Sequence, residues 1–205
     1  MKIILDPSNR RKDNTYRKGR DLTMSGNVQQ ALESGIRLFF WSIRFFYTHP
    51  SLVLLSLIPS TFRFIQMWND LRTPFWMEIV VESTRVVLFF LIFALMSRAG
   101  LRRVFGKNLW TRWNRSLKIE LERNWPLTFF AQIAVFVVGL YWLLNSTLEW
   151  LLNPAFVNGL MSVIGVEAFD YDQFFTSALF FLKNMSVIPL SMVYILRMLG
   201  VGVHA

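Results

Sequence analysis

The stretch SALFFLKNMSVIPLSMVYIL, residues 177–196, is almost entirely apolar. It has the length of about 20 residues that a helix needs to cross the hydrocarbon core of a bilayer. Lys183 lies near its middle, where an ammonium group is costly unless a polar group pairs with it. The stretch therefore predicts a transmembrane helix over residues 174–197, with its lysine facing the interior of a helix bundle.

The composition of the whole chain is typical of a membrane protein. Of 205 residues, 54% are hydrophobic and 16% aromatic, and the formal net charge is +9. The basic clusters flank apolar stretches, so we interpret them as topology signals and expect no nucleic-acid partner. The chain has no cysteine, which excludes disulfides, thiolate metal sites and cysteine nucleophiles.

Three more apolar stretches are long enough to be crossings: residues 51–68, 75–97 and 126–147. Trp68 and Trp76 bracket the turn between the first two, as tryptophans do at the edges of a bilayer. The sequence therefore predicts an all-α integral membrane protein. It has four transmembrane helices plus in-plane amphipathic helices, in a single polytopic domain over residues 31–200.

The segment before the first crossing has two parts. Residues 1–30 are polar and basic, and we expect this tail to be largely disordered in isolation. Residues 31–48 carry Arg37 and Arg44 on one helical face and large apolar side chains on the other, which predicts a helix lying in the cytoplasmic interface. The alternative is that residues 36–58 form the first crossing and carry both arginines.

The two longer connections differ in charge. Residues 98–125 hold eight Lys or Arg and two Glu, and their apolar side chains recur at helical spacing. This pattern predicts a basic amphipathic helix on the cytoplasmic leaflet. Residues 148–173 hold four acidic residues and no Lys or Arg. Their apolar middle, over residues 150–165, is too short for a crossing and predicts an interfacial or re-entrant helix.

These charges predict how the chain is threaded through the cell membrane. Basic loops remain in the cytoplasm, so we expect both termini and residues 98–125 there, with residues 148–173 outside. The C-terminal tail, residues 198–205, is then cytoplasmic. No signal-peptide core precedes the basic tail, so we expect the internal apolar stretches to direct insertion.

Charged and amide side chains inside the predicted crossings form the candidate functional site. Intramembrane ionisable residues are candidates for function by default. Lys183 lies about as deep in its helix as Glu82 does in the second crossing, so we expect these two to pair, with Glu78 as the second choice. The predicted intramembrane polar cluster consists of Glu78, Glu82, Arg85, Lys183 and Asn184.

A second group of basic residues is expected to contact anionic lipid headgroups, because guanidinium and ammonium groups bind phosphates at the cytoplasmic surface. The group consists of Arg37, Arg44, Arg102, Arg103, Lys107, Arg112 and Arg115. No residue pattern points to a catalytic, cofactor-binding or metal site.

The sequence favours a non-enzymatic membrane component that acts by association with itself or with a membrane complex. The expected partners are membrane lipids, including anionic headgroups, and a membrane protein or a second copy of the chain. The alternative is a small transporter or channel that uses the intramembrane Glu/Arg/Lys cluster. Transport requires this cluster to be accessible to water, whereas association requires it to be dry and neutral.

Overall fold

A computed structural model of the protein describes residues 7–69, 73–165 and 170–202, and every regular element in these ranges is a helix. Some expected features lie outside the described residues. They are the first six residues of the tail, Asp70 and Arg72 of the first turn, Glu167 of the acidic connection, and residues 203–205.

Four helices are long and apolar enough to cross a membrane. They are α2 (Pro50–Trp68), α3 (Phe75–Met96), α6 (Leu127–Leu151) and α8 (Tyr171–Met198). The prediction of an all-α chain with four such helices is therefore confirmed for the described residues. Helix α6 extends beyond residue 147, where the apolar stretch was expected to end, because Leu148 and the following Leu152 pack in the second hydrophobic cluster while Glu149 remains half exposed.

The remaining helices are more polar or shorter. Helix α1 (Pro7–Thr48) precedes α2, and α4 (Leu101–Val104) and α5 (Lys107–Asn124) form the basic connection. Helix α7 (Pro154–Ile164) occupies the acidic connection. It begins at Asn153, whose side chain accepts a hydrogen bond of 3.0 Å from the amide of Phe156, and it ends at Gly165, whose φ of 76° suits a left-handed cap.

Helix α8 is the centre of the bundle. It contacts α1, α2, α3 and α6, and it packs antiparallel to α2, since Trp68 at the end of α2 accepts a hydrogen bond from Gln173 near the start of α8. Tyr194 of α8 is fully buried and donates a hydrogen bond of 2.8 Å to the carbonyl of Gln132 in α6. Close packing of such large side chains and interhelical hydrogen bonds of this kind stabilise the bundle.

Helix α1 packs differently from the expected in-plane helix. Its serine Ser34 accepts a hydrogen bond from Gln132, and Phe39 lies against Gly139, so α1 runs alongside α6 in the same direction. A Cβ atom at Gly35 would lie 2.9 Å from Val135, which shows how closely the two helices approach.

The apolar face of residues 31–48 was expected to contact lipid, but it packs against protein. Phe39 and Phe46 are buried in the main hydrophobic core with residues of α6 and α8. These side chains pack against protein because Gly35 of α1 and Gly139 of α6 allow the two helices to approach closely. In the full chain α1 begins at Pro7, and disorder of residues 1–30 in isolation stays a prediction. Arg, Lys and Gln, which are frequent in this segment, are good helix formers.

Candidate functional site

Arg63 of α2 and Glu78 of α3 form a bidentate ion pair. The guanidinium group of Arg63 donates two parallel hydrogen bonds to the carboxylate of Glu78, at 2.7 and 2.9 Å. The side chain of Arg63 is only 15% exposed. The amide of Gln66, one turn further along α2, bonds both partners, accepting from Arg63 at 2.9 Å and donating to Glu78 at 3.3 Å. Bidentate pairs of this kind fix orientation as well as adding energy.

Glu82 continues the network toward α8. Its carboxylate accepts a hydrogen bond of 2.5 Å from Arg85, one turn along α3, and a longer one of 3.4 Å from Arg63. Arg85 also donates a bond of 2.6 Å to the side-chain oxygen of Asn184, which is 3% exposed. The amide nitrogen of Asn184 in turn donates to the carbonyl of Phe180.

The resulting network, which we call the polar ladder, consists of Arg63, Gln66, Glu78, Glu82, Arg85 and Asn184. Two arginines and two glutamates give it no formal net charge. It joins α2, α3 and α8 by hydrogen bonds at one level of the bundle. Chemically, this arrangement holds three helices in register, and each charged group already has an opposite charge beside it.

Lys183 is not part of the polar ladder, so its predicted pairing with Glu82 is wrong. Its ammonium nitrogen lies 3.7 Å from the carboxylate of Glu149 in α6. Consecutive residues on a helix point about 100° apart, so Asn184 turns toward α3 while Lys183 turns toward α6. In addition, Glu82 already has Arg85 and Arg63 as closer partners.

We expect Lys183→Met to change stability little, by no more than about 1 kcal/mol, as for exposed ion pairs. The side chains of Lys183 and Glu149 are 28% and 54% exposed, and their distance is long. Thermal unfolding of the purified protein in mild detergent measures the effect. The matched variant Glu149→Gln removes the other partner and should behave alike. A fall in melting temperature as large as that of Arg63→Met would contradict this assignment.

The backbone also departs from α-helical geometry at Lys183. Residues Lys183–Val187 form a π-helical turn in α8, directly before the stretch that contains Pro189. A proline inside a helix removes one backbone hydrogen bond and displaces the preceding turn. The wider turn accommodates this displacement, and π-helical turns occur frequently at functional sites.

Two members of the polar ladder and the partner of Lys183 were missed by sequence reasoning. Arg63 was not assigned to the predicted polar cluster, although the short turn after α2 places it opposite the start of α3. Gln66 lies one helical turn after Arg63, so the two polar side chains share a face of α2. This spacing could have indicated that both belong to the polar cluster. Glu149 was assigned to the loop because the end of the third crossing was placed at residue 147.

The seven basic residues expected to contact lipid lie on α1, α4 and α5, and all are exposed. Arg37 has Glu33 as a partner at 3.6 Å. Lipid contact by this group stays a prediction. Within residues 7–69, 73–165 and 170–202, no three His, Asp or Glu side chains cluster so that they could hold a metal ion.

Comparison of the chain with protein-family models, with curated proteins and with solved structures finds no match.

Proposed function

We propose that the chain is a non-enzymatic integral membrane protein that acts by association with a second copy of itself or with another membrane protein. Helices α2, α3, α6 and α8 cross the cell membrane, and both termini are cytoplasmic. The pairing of charges within the polar ladder supports a bracing role for this cluster. Transport would need charges that are free to exchange their partners for a solute.

The observation that carries the proposal is the exposure of α6. Over an apolar stretch of 18 residues in α6, only 11% is buried by the rest of the protein, whereas 44% is buried over the corresponding stretch of α8. Its outward side chains include Tyr141, Trp142 and Trp150, which are 70%, 64% and 75% exposed. Large aromatic side chains are enriched among the residues that contribute most to protein interfaces.

Polar groups on the same helix favour a protein partner over lipid. The carboxylate of Glu149 is half exposed on α6, and its ion-pair partner among the described residues is Lys183, at 3.7 Å. A charged group facing hydrocarbon is costly, whereas polar side chains between packed transmembrane helices stabilise association. We therefore place the association surface on the exposed side of α6.

Cysteine cross-linking in native membranes tests this surface, because the chain contains no cysteine of its own. We expect Trp142→Cys to cross-link with a bifunctional maleimide, either into a dimer or to another membrane protein. The matched control is Leu54→Cys on α2, since Leu54 and Trp142 are both 64% exposed. Equal cross-linking at the two positions, or none at either, would contradict the proposal.

The proposed threading gives a second expectation. An impermeant maleimide added to intact cells should label Asp170→Cys and leave Arg115→Cys unlabelled, because the acidic connection lies outside and the basic one inside. Both side chains are exposed, so differences in burial do not decide the result. Labelling of both positions after permeabilisation serves as the control. The reverse pattern in intact cells would overturn the orientation.

A further inference from the structure

A basic cavity of about 510 Å³ lies where α3 ends and the chain turns through α4 into α5. The residues that form its wall include Arg98, Arg103, Lys107 and Arg112, together with Ser97 and Asn108. No Asp or Glu belongs to the wall as the described residues define it. Four cations around one concave surface create a strong local attraction for anions.

The four cations lack partners of their own. Among the residues that the structure describes, none of them forms an ion pair or a side-chain hydrogen bond. Other arginines of the described residues do have acidic partners, as Arg85 has Glu82 and Arg123 has Glu120. The cavity therefore holds positive charge that the protein itself does not balance.

The backbone adds donors at the same place. Helix α5 has 18 residues, begins at Lys107, and has no side-chain cap at Gly106. The amides of Lys107 and Asn108 are in its first turn, where N–H groups have no acceptor within the helix and attract anions. Both residues belong to the cavity wall, so the cations and the helix N-terminus converge on one space.

The turn that leads from α3 into the cavity wall is a helix C-cap. Arg98 has a φ of 48°, in the left-handed region that residues other than glycine rarely adopt. Its amide and that of Ala99 donate to carbonyls of the last turn of α3, at 3.2 and 3.0 Å, which fixes the turn. These two hydrogen bonds form a Schellman motif at the end of α3, and this motif accounts for the left-handed conformation of Arg98.

We infer that this cavity binds the phosphate monoester headgroup of an anionic phospholipid. A phosphate monoester carries up to two negative charges and several acceptor oxygens, which match cations and amides arranged around a common centre. Phe105, which is 73% exposed, stacks obliquely on Phe90 of α3 at 5.2 Å beside the cavity, where acyl chains would lie. The inference rests on the proposed placement of α3 in the membrane.

Binding of dioctanoyl phosphatidic acid to the detergent-solubilised protein, measured by titration calorimetry, tests the inference. We expect the double variant Arg103→Gln/Lys107→Gln to raise the Kd at least about tenfold, because it removes two charge-assisted contacts. The matched control, Lys118→Gln/Arg123→Gln, removes the same charge from α5 at positions outside the cavity wall, which are 78% and 61% exposed, and should raise the Kd less than about threefold. Unchanged melting temperatures without lipid show that both variants fold.

Two further ligands distinguish a phospholipid headgroup from free phosphate. Dioctanoyl phosphatidylglycerol, a diester with one charge, should bind more weakly than phosphatidic acid, and inorganic phosphate should compete only at much higher concentration. Equal increases in Kd for the two double variants would show that binding depends on the overall surface charge and not on the cavity, which would overturn the inference. Binding of inorganic phosphate as tight as that of phosphatidic acid would overturn the assignment to lipid. The test depends on neither cross-linking nor threading, so it can fail while the proposed function stands.

Discussion

Arg63→Met is expected to lower the stability of the protein by about 3 kcal/mol, the lower end of the range for breaking a buried ion pair. The variant leaves Glu78 without its bidentate partner and removes a donor to Gln66 and Glu82. The side chain of Glu78 is 39% exposed, which limits the loss because solvent or headgroups can reach it. Thermal unfolding in mild detergent should show a fall in melting temperature of about 6–12 °C.

Two further variants make this result interpretable. Arg44→Met removes the same side chain from an exposed position on α1 and should have little effect. The double variant Arg63→Met/Glu78→Met removes both charges and should recover much of the lost stability, because an uncompensated carboxylate no longer remains. A stable single variant would show that the polar ladder does not brace the bundle. A stable variant that also lost a measurable solute flux would favour the transport alternative.

Phe46→Ala is expected to destabilise the protein by about 3–5 kcal/mol, the usual range for truncating a buried phenylalanine. Phe46 is fully buried and packs in the same core cluster as Leu52, Leu190 and Val193. The truncation opens a cavity at the junction of α1, α2 and α8, where rigid neighbours cannot close it. The measurement is thermal unfolding in detergent, with recovery of folded protein after purification as a second readout.

Phe40→Ala on the same helix is the matched control. Phe40 is 63% exposed, so the same truncation should change the stability by less than about 1 kcal/mol. The pair also tests where α1 lies. If residues 31–48 were an in-plane helix that contacts only lipid, the two variants would behave alike. Equal effects would therefore contradict the packing of α1 against α6 and α8.

The sequence alone was sufficient for the four long apolar helices. About 20 consecutive apolar residues leave few alternatives to a buried or membrane-spanning helix, because unpaired backbone groups are costly away from water. Local signals were also sufficient for α7, where Asn153 and Pro154 begin the helix and Gly165 ends it. The sequence likewise placed Glu78, Glu82 and Arg85 on one face of α3, since spacing within a helix is set by its own geometry.

Only the tertiary structure decided which partners these residues have. Depth along a helix can be counted from the sequence, but the direction in which a side chain points across the bundle depends on how the helices rotate and pack. Asn184 and Lys183 are neighbours in sequence, yet they contact different helices, α3 and α6. The amphipathic pattern of α1 likewise did not determine what this helix packs against. An apolar face packs equally well against lipid or protein, and the close approach at Gly35 and Gly139 decides for protein.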